Sequence, residues 1–204
     1  VGPDGGTPQA IEDIAITRVI PRMIVLSPCD AVEAKKATLA AVETGTPVYI
    51  RLAREKTPVM TTEDTPFEIG KAQTFWHPPA GGQPKVGVIA TGALLHKALQ
   101  AAKELEREVS VEVMNLSTIK PLDEKAIVNL AKKTGRIVTV EEHQTRGGMG
   151  SAVAECLAAN YPVPVEFIGV NDQFGQSGTP EELIEHYEMG KDAIIKTVKK
   201  ILKR

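Results

Sequence analysis

Aromatic residues are scarce in this sequence: four Phe, three Tyr and one Trp among 204 residues. That leaves no stacking platform for single-stranded nucleic acid. Charge of one sign is also missing, since 24 basic residues stand against 26 acidic ones, and no basic stripe offers itself to a phosphate backbone. No apolar run approaches the ~20 residues of a membrane-spanning helix. Cysteine is nearly absent. Cys29 and Cys156 lie far apart, neither sits in a CxxC, and the four histidines (His77, His96, His143, His186) have no ligand spacing, so no metal motif is legible. With no disulfide framework, and no secretory signal in the sequence as given, the expectation is a reduced cytoplasmic protein without nucleic-acid or membrane partners. Internal repeats and low-complexity tails are absent too.

What is present alternates between short apolar runs and amphipathic ones. The chain begins at Val1 on a glycine-rich turn, VGPDGGTPQA, with no strand before it, and reads as a piece of something longer. Helical spacing over 9–20 ends at Pro21. A strand over 23–26, a helix opened by Asp30 with Glu33 three residues on, and a strand over 47–52 form a βαβ unit with parallel strands. Periodicity fails over 53–84, which hold five prolines and three glycines. This segment reads as a linker, with one short strand over 67–72 and Trp76 anchoring it to a surface.

From Lys85 the alternation is regular. Strands are expected over 86–90, 109–116, 136–140 and 165–170, and helices over 93–105, 122–134 and 151–160. Thr179, Pro180 and Glu182 announce a helix start, and two terminal helices divide at Gly190. The fold class is α/β, with three layers. The expected domains are 1–57, part of a parallel sheet; 58–83, the linker; and 84–204, a complete three-layer domain with a mixed five-stranded sheet.

Few residues stand out for chemistry. Gly92 follows a strand, but no GxGxxG follows it and the next strand ends without an acidic ribose partner, so a nicotinamide enzyme is disfavoured. The loop at Gly147, Gly148 and Gly150 follows a strand and opens a helix. It reads either as a phosphate cradle or as a tight packing turn. His143, at the carboxyl edge of that strand, is either a functional group or a hydrogen-bonded interface residue. Glu141 and Glu142, adjacent on a strand, point to opposite faces and are a poor acid–base pair. Arg51 and Arg54 close the strand over 47–52 and suit a phosphorylated substrate, with alternation letting only one reach a site. Asp4, in the opening turn, is either a ligand for hydroxyls or a turn former.

Five segments together resemble the thiamine-diphosphate transketolase family. They are DGGTPQ at 4–9, RVIPRMIVLSPCDAVEAKKA at 18–37, PVYIRLAR at 47–54, VEEHQTRGGMGSAVAE at 140–155 and GVNDQFGQSGTPEELIEHYEM at 169–189. The pattern covers nearly the whole chain in order and looks closest to two-chain transketolases. The 1-deoxyxylulose-5-phosphate synthases and the β subunits of 2-oxoacid dehydrogenases are similar but less close.

The resemblance implies the second half of a pyrimidine-binding domain followed by a C-terminal domain. It implies transfer of a two-carbon ketol unit between sugar phosphates, with thiamine diphosphate and Mg²⁺ in the intact assembly. The glutamate that activates the cofactor's aminopyrimidine and the diphosphate site would precede Val1. The chain alone is therefore expected to be inactive, to bind no cofactor by itself, and to carry no catalytic or metal residue. Its partners would be the missing N-terminal section and a twin chain in a homodimer. The substrate side remains: Asp4 matches the aspartate that meets sugar hydroxyls, Arg54 the arginine that holds the phosphate, and Arg18 a helix-end arginine. Pro8 stands where the family has histidine, and proline neither donates a hydrogen bond nor moves a proton. A non-catalytic association module is the other reading. Half a pyrimidine-binding domain would also leave an open sheet edge, so residues 1 to about 55 are expected to be rearranged or covered by a partner.

Overall fold

A computed structural model describes residues 10–79 and 82–204. In chain order the elements are α1 (Asp13–Arg18), β1 (Ile24–Leu26), α2 (Ala31–Val42), β2 (Val48–Ile50), β3 (Gln73–Trp76) and β4 (Val86–Ala90). After a 3-10 turn at Gly92–Leu94 come α3 (Leu95–Leu105), β5 (Val111–Asn115), β6 (Thr118–Lys120), α4 (Glu124–Thr134), β7 (Ile137–Gln144), α5 (Met149–Asn160), β8 (Val165–Val170), α6 (Pro180–His186) and α7 (Lys191–Ile201).

The larger sheet has the order β3-β5-β4-β7-β8, with β3 antiparallel and the rest parallel. It is buried on both faces, as parallel strands require. Side-chain alternation sends Val86, Val88, Val138 and Val140 to one face, where they pack with Leu95 and Ala98 of α3 and Ile194 and Val198 of α7. Ile89 and Ile137 face the other way, toward Ile127 and Leu130 of α4 and Val153 and Leu157 of α5. These two cores make the three layers. Ile14 and Val25 join the second core, so the first part of the chain packs on the same body. Among the described residues no helix is long and apolar enough to cross a membrane.

The smaller sheet has the order β2-β1-β6. β1 and β2 are parallel and joined by α2, as the βαβ pattern predicts. β6 was not expected. It lies between β5 and α4 and pairs antiparallel with β1, Val25 opposite Lys120 and Leu26 opposite Thr118. A three-residue strand has no readable period, and its pairing depends on β1 lying alongside. β1 is thus paired on both sides within the chain, with β2 and with the later strand β6, where a partner was expected to cover an open edge of this sheet.

Two local expectations need correcting. The linker strand falls at Gln73–Trp76 rather than over 67–72. Gly70 turns the chain with φ of +88°, and the alternation of Phe67 and Ile69 stops there. Trp76 is therefore a sheet residue, paired with Val113. At α2 the capping box is half formed: the Asp30 carboxylate accepts from Glu33 N at 2.9 Å. The Glu33 carboxylate turns elsewhere, accepting from Cys29 N at 2.6 Å and from Asn115 Nδ2 at 2.8 Å. It ties α2 to the end of β5 instead of closing the box. At α6 both halves of the box are present.

The segment before β3 is strapped down. Asp30 Oδ2 accepts from Met60 N and Thr61 N, both at 2.6 Å. Lys36 Nζ donates to the carbonyls of Thr62, Glu63 and Thr65. Asp123, the N-cap of α4, accepts from Ala72 N at 3.0 Å.

Candidate functional site

β7 runs past the apolar residues 137–140 through Gln144, so the polar edge foreseen after it is part of the strand. Alternation places Thr139, Glu141 and His143 on the inner face, and Glu141 and His143 are buried. The Glu141 carboxylate lies at the N-terminus of α5, accepting from Met149 N at 2.6 Å and from Gly150 N at 2.8 Å. These amides are among those a helix leaves unpaired at its start, and they favour an anion. The glycine loop is therefore a packing turn. Its anion position is filled by the chain's own carboxylate, which leaves no place for a phosphate. Close approach explains Gly148: a Cβ there would fall 2.6 Å from His143 Nδ1 and nearer still to Glu141 Oε2. Burial pushes the Glu141 carboxyl up to about 7, against the lowering pull of the two amides.

His143 Nε2 accepts from Ile14 N at 3.2 Å and from Ala15 N at 3.4 Å. Its Nδ1 meets the Gln144 carbonyl at 2.7 Å and so carries the hydrogen. Burial lowers its pKa below the ordinary value, in keeping with a neutral ring. α1 has no side-chain cap of its own, and the imidazole supplies one from another strand. Of the two readings for His143, the interface residue is the one seen.

Arg51 and Arg54 lie beyond the end of β2 at Ile50, where strand alternation no longer separates them. Both line one polar cavity of about 160 Å³, together with Ala10, Asp13, Tyr49 and Glu142. Arg51 Nε reaches Asp13 Oδ2 at 2.9 Å, and Tyr49 Oη donates to the same oxygen at 2.8 Å. Arg51 Nη2 donates to the carbonyls of Glu142 at 2.8 Å and Ala10 at 3.3 Å. Burial, then the hydrogen bond to Asp13, raises the Tyr49 phenol to about 12, so it stays a donor. Arg54 is an exposed residue of this lining.

Arg18 is elsewhere. It ends α1 and forms a two-point ion pair with Glu155 of α5, at 2.5 and 3.2 Å. It lines a second cavity, of about 520 Å³, with Lys120, Cys156 and Asn160. The structure brings Arg51 and Arg54 together and sets Arg18 in a different cleft, while Asp4 and Pro8 lie outside the described residues. Asp13 and Tyr49, which shape the cleft, carried no sequence signal beyond an acidic residue in a helix's first turn. Both thiols are pushed up, chiefly by burial, which disfavours the thiolate.

Two observations bear on a diphosphate and its metal. The glycine turn between β7 and α5 is closed by Glu141, and no group of three His, Cys, Asp or Glu among the described residues could hold a metal ion. What the arginine cleft offers is an anion-binding, hydrogen-bonding wall at a strand's carboxyl end, where α/β sheets take ligands.

Two family models match, in chain order: the transketolase pyrimidine binding domain over residues 1–60 and the transketolase C-terminal domain over residues 80–194. The chain is 38% identical over 202 residues to the 6-deoxy-6-sulfo-D-fructose transketolase subunit of Clostridium sp. (strain MSTE9), covering 98% of this chain and 61% of that protein. It is equally similar, 38% over 202 residues, to an apulose-4-phosphate transketolase subunit of Phocaeicola vulgatus, covering 98% and 63%. A solved structure described as a split gene transketolase, inactive beta4 tetramer, matches with a TM-score of 0.87 at 40% identity, over 96% of this chain and 62% of that one. The chain thus spans 61 to 63% of the length of these relatives.

Proposed function

The chain belongs to the transketolase family, and from that premise we propose that it is the substrate-facing C-terminal part of a split transketolase. Joined to the section that carries thiamine diphosphate and Mg²⁺, it takes part in moving a two-carbon ketol unit between sugar phosphates. The observation that carries this reading is the polar cleft beyond β2, which Arg51 and Arg54 line together. Arg54 holds the sugar phosphate by charge-assisted hydrogen bonds. Asp4 meets the sugar hydroxyls. Arg18, at the end of α1, contributes from its own cleft, through the ion pair to Glu155, by holding α1 on α5. The cofactor resides with the partner section, as the family resemblance implies. Twin chains pair as a homodimer in the assembly, and the whole works in the cytoplasm.

Support comes from the family models in their order and from relatives named as transketolase subunits. The test is reconstitution. The pure chain, given thiamine diphosphate, Mg²⁺ and sugar phosphates, is expected to show no ketol transfer, and activity is expected on adding the cofactor-bearing section. Turnover by the chain alone, or none by the mixture, would contradict it. The second reading, an association module without activity, draws on the similar structure described as an inactive beta4 tetramer. It expects the mixture to assemble and remain inactive.

A further inference from the structure

The family resemblance gives Arg54 a task and leaves Arg51 without one. Yet Arg51 is firmly engaged in the fold, with its side chain only 18% exposed. Its planar guanidinium meets two separate pieces of chain at three residues. Nε contacts Asp13 Oδ2 at 2.9 Å in α1. Nη2 donates to Glu142 O at 2.8 Å in β7 and to Ala10 O at 3.3 Å. The same stretch is fastened from the far side: Gln144 N donates to Ile11 O at 2.7 Å, and His143 Nε2 accepts from Ile14 N. Residues 10–14 are thus clamped between the end of β2 and β7. Ala10 also lines the cleft that Arg54 lines. Ala10 is therefore fixed at the cleft's wall.

We propose that Arg51 is a positioning residue of the substrate cleft. It acts through Ala10 and Asp13, holding the root of the opening segment against the wall that bears Arg54. The inference rests on the proposed function, and goes beyond it by assigning the orientation of the cleft to a residue with no direct hold on the phosphate. A guanidinium suits the task because it presents several donors in one rigid plane. A lysine ammonium is a single point and cannot span Asp13 and two carbonyls at once. Groups already held in place before binding cost the substrate no ordering entropy, so the effect belongs to substrate affinity and alignment.

The test uses the assembled enzyme with Arg51→Met and Arg51→Lys. Arg51→Met is expected to raise KM for the sugar phosphate about tenfold or more, with kcat at saturation within about threefold. Arg51→Lys is expected to fall between it and the parent. Amide exchange at Gln144 is expected to quicken about tenfold in Arg51→Met, while the apolar part of β7 stays protected. An unchanged KM in an active assembly would overturn the proposal. So would a fall in kcat that merely follows a fall in melting temperature, which would mark a role in folding alone. If the parent assembly moves no ketol unit, the functional reading fails by itself. Gln144 exchange then still decides: unchanged protection in Arg51→Met would overturn the clamp, and quickened exchange would uphold it.

Discussion

Glu141 spends its charge inside the molecule. Two amides of α5 bind it, and burial raises its carboxyl from 4.5 to about 7. A proton kept by the folded state and surrendered by the unfolded chain stabilises the fold below pH 4.5, and that contribution is lost as pH rises through about 7. Glu141→Gln has one acceptor oxygen for two amides and is expected to cost about 1–3 kcal/mol. It also removes the slope: between about pH 5 and pH 8, urea midpoints should fall for the parent relative to the variant. Parallel midpoints would contradict this. At this scale the sequence was partly legible. Arg54 stood out because a basic residue closes an apolar strand. Asp13 did not, because an acidic residue in a helix's first turn is ordinary and its pairing with Arg51 exists only across the fold. The glycine loop admitted two readings because a phosphate and an internal carboxylate ask for the same amides.

At the scale of elements, strong local signals gave true boundaries. Thr179, Pro180 and Glu182 open α6 where the capping box places it, and 165–170 is β8 without change. Weak ones drifted. α1 spans only Asp13–Arg18 of the expected 9–20, and its start depends on a histidine from β7 rather than on a local cap. β6 and β3 exist by pairing, with little in their own residues to announce them. Asp30 shows how one side chain serves two elements, since it caps α2 and holds the chain at Met60 and Thr61. Asp30→Ala is expected to lose about 1 kcal/mol or more from the cap. Limited proteolysis should then cut the 53–72 segment faster than in the parent. An unchanged cleavage rate would show that the strap is held by other contacts, such as those of Lys36.

At the scale of the whole molecule, the order of the two family regions was readable from motifs, while their interlocking was not. β6, from the later half, completes the sheet of the earlier half. Asn115 reaches back to Glu33, and Ile14 and Val25 lie in a core shared with α4 and α5. Contacts of such long sequence separation leave no local period to read. Halves joined in this way should unfold together. Trp76, the only tryptophan, reports on β3, and far-ultraviolet circular dichroism reports on every helix. Their denaturation midpoints are expected to coincide in the full chain. Two separated transitions would mean that the first half folds and unfolds by itself.

The central claim is that the cleft beyond β2 receives a sugar phosphate through Arg54. The most direct measurement is the KM for that substrate in the assembled enzyme carrying Arg54→Ala. Loss of a charge-assisted contact is expected to raise KM about tenfold or more, with a smaller change in KM for an acceptor lacking the phosphate. Equal KM values for parent and variant would place the phosphate elsewhere and contradict the account.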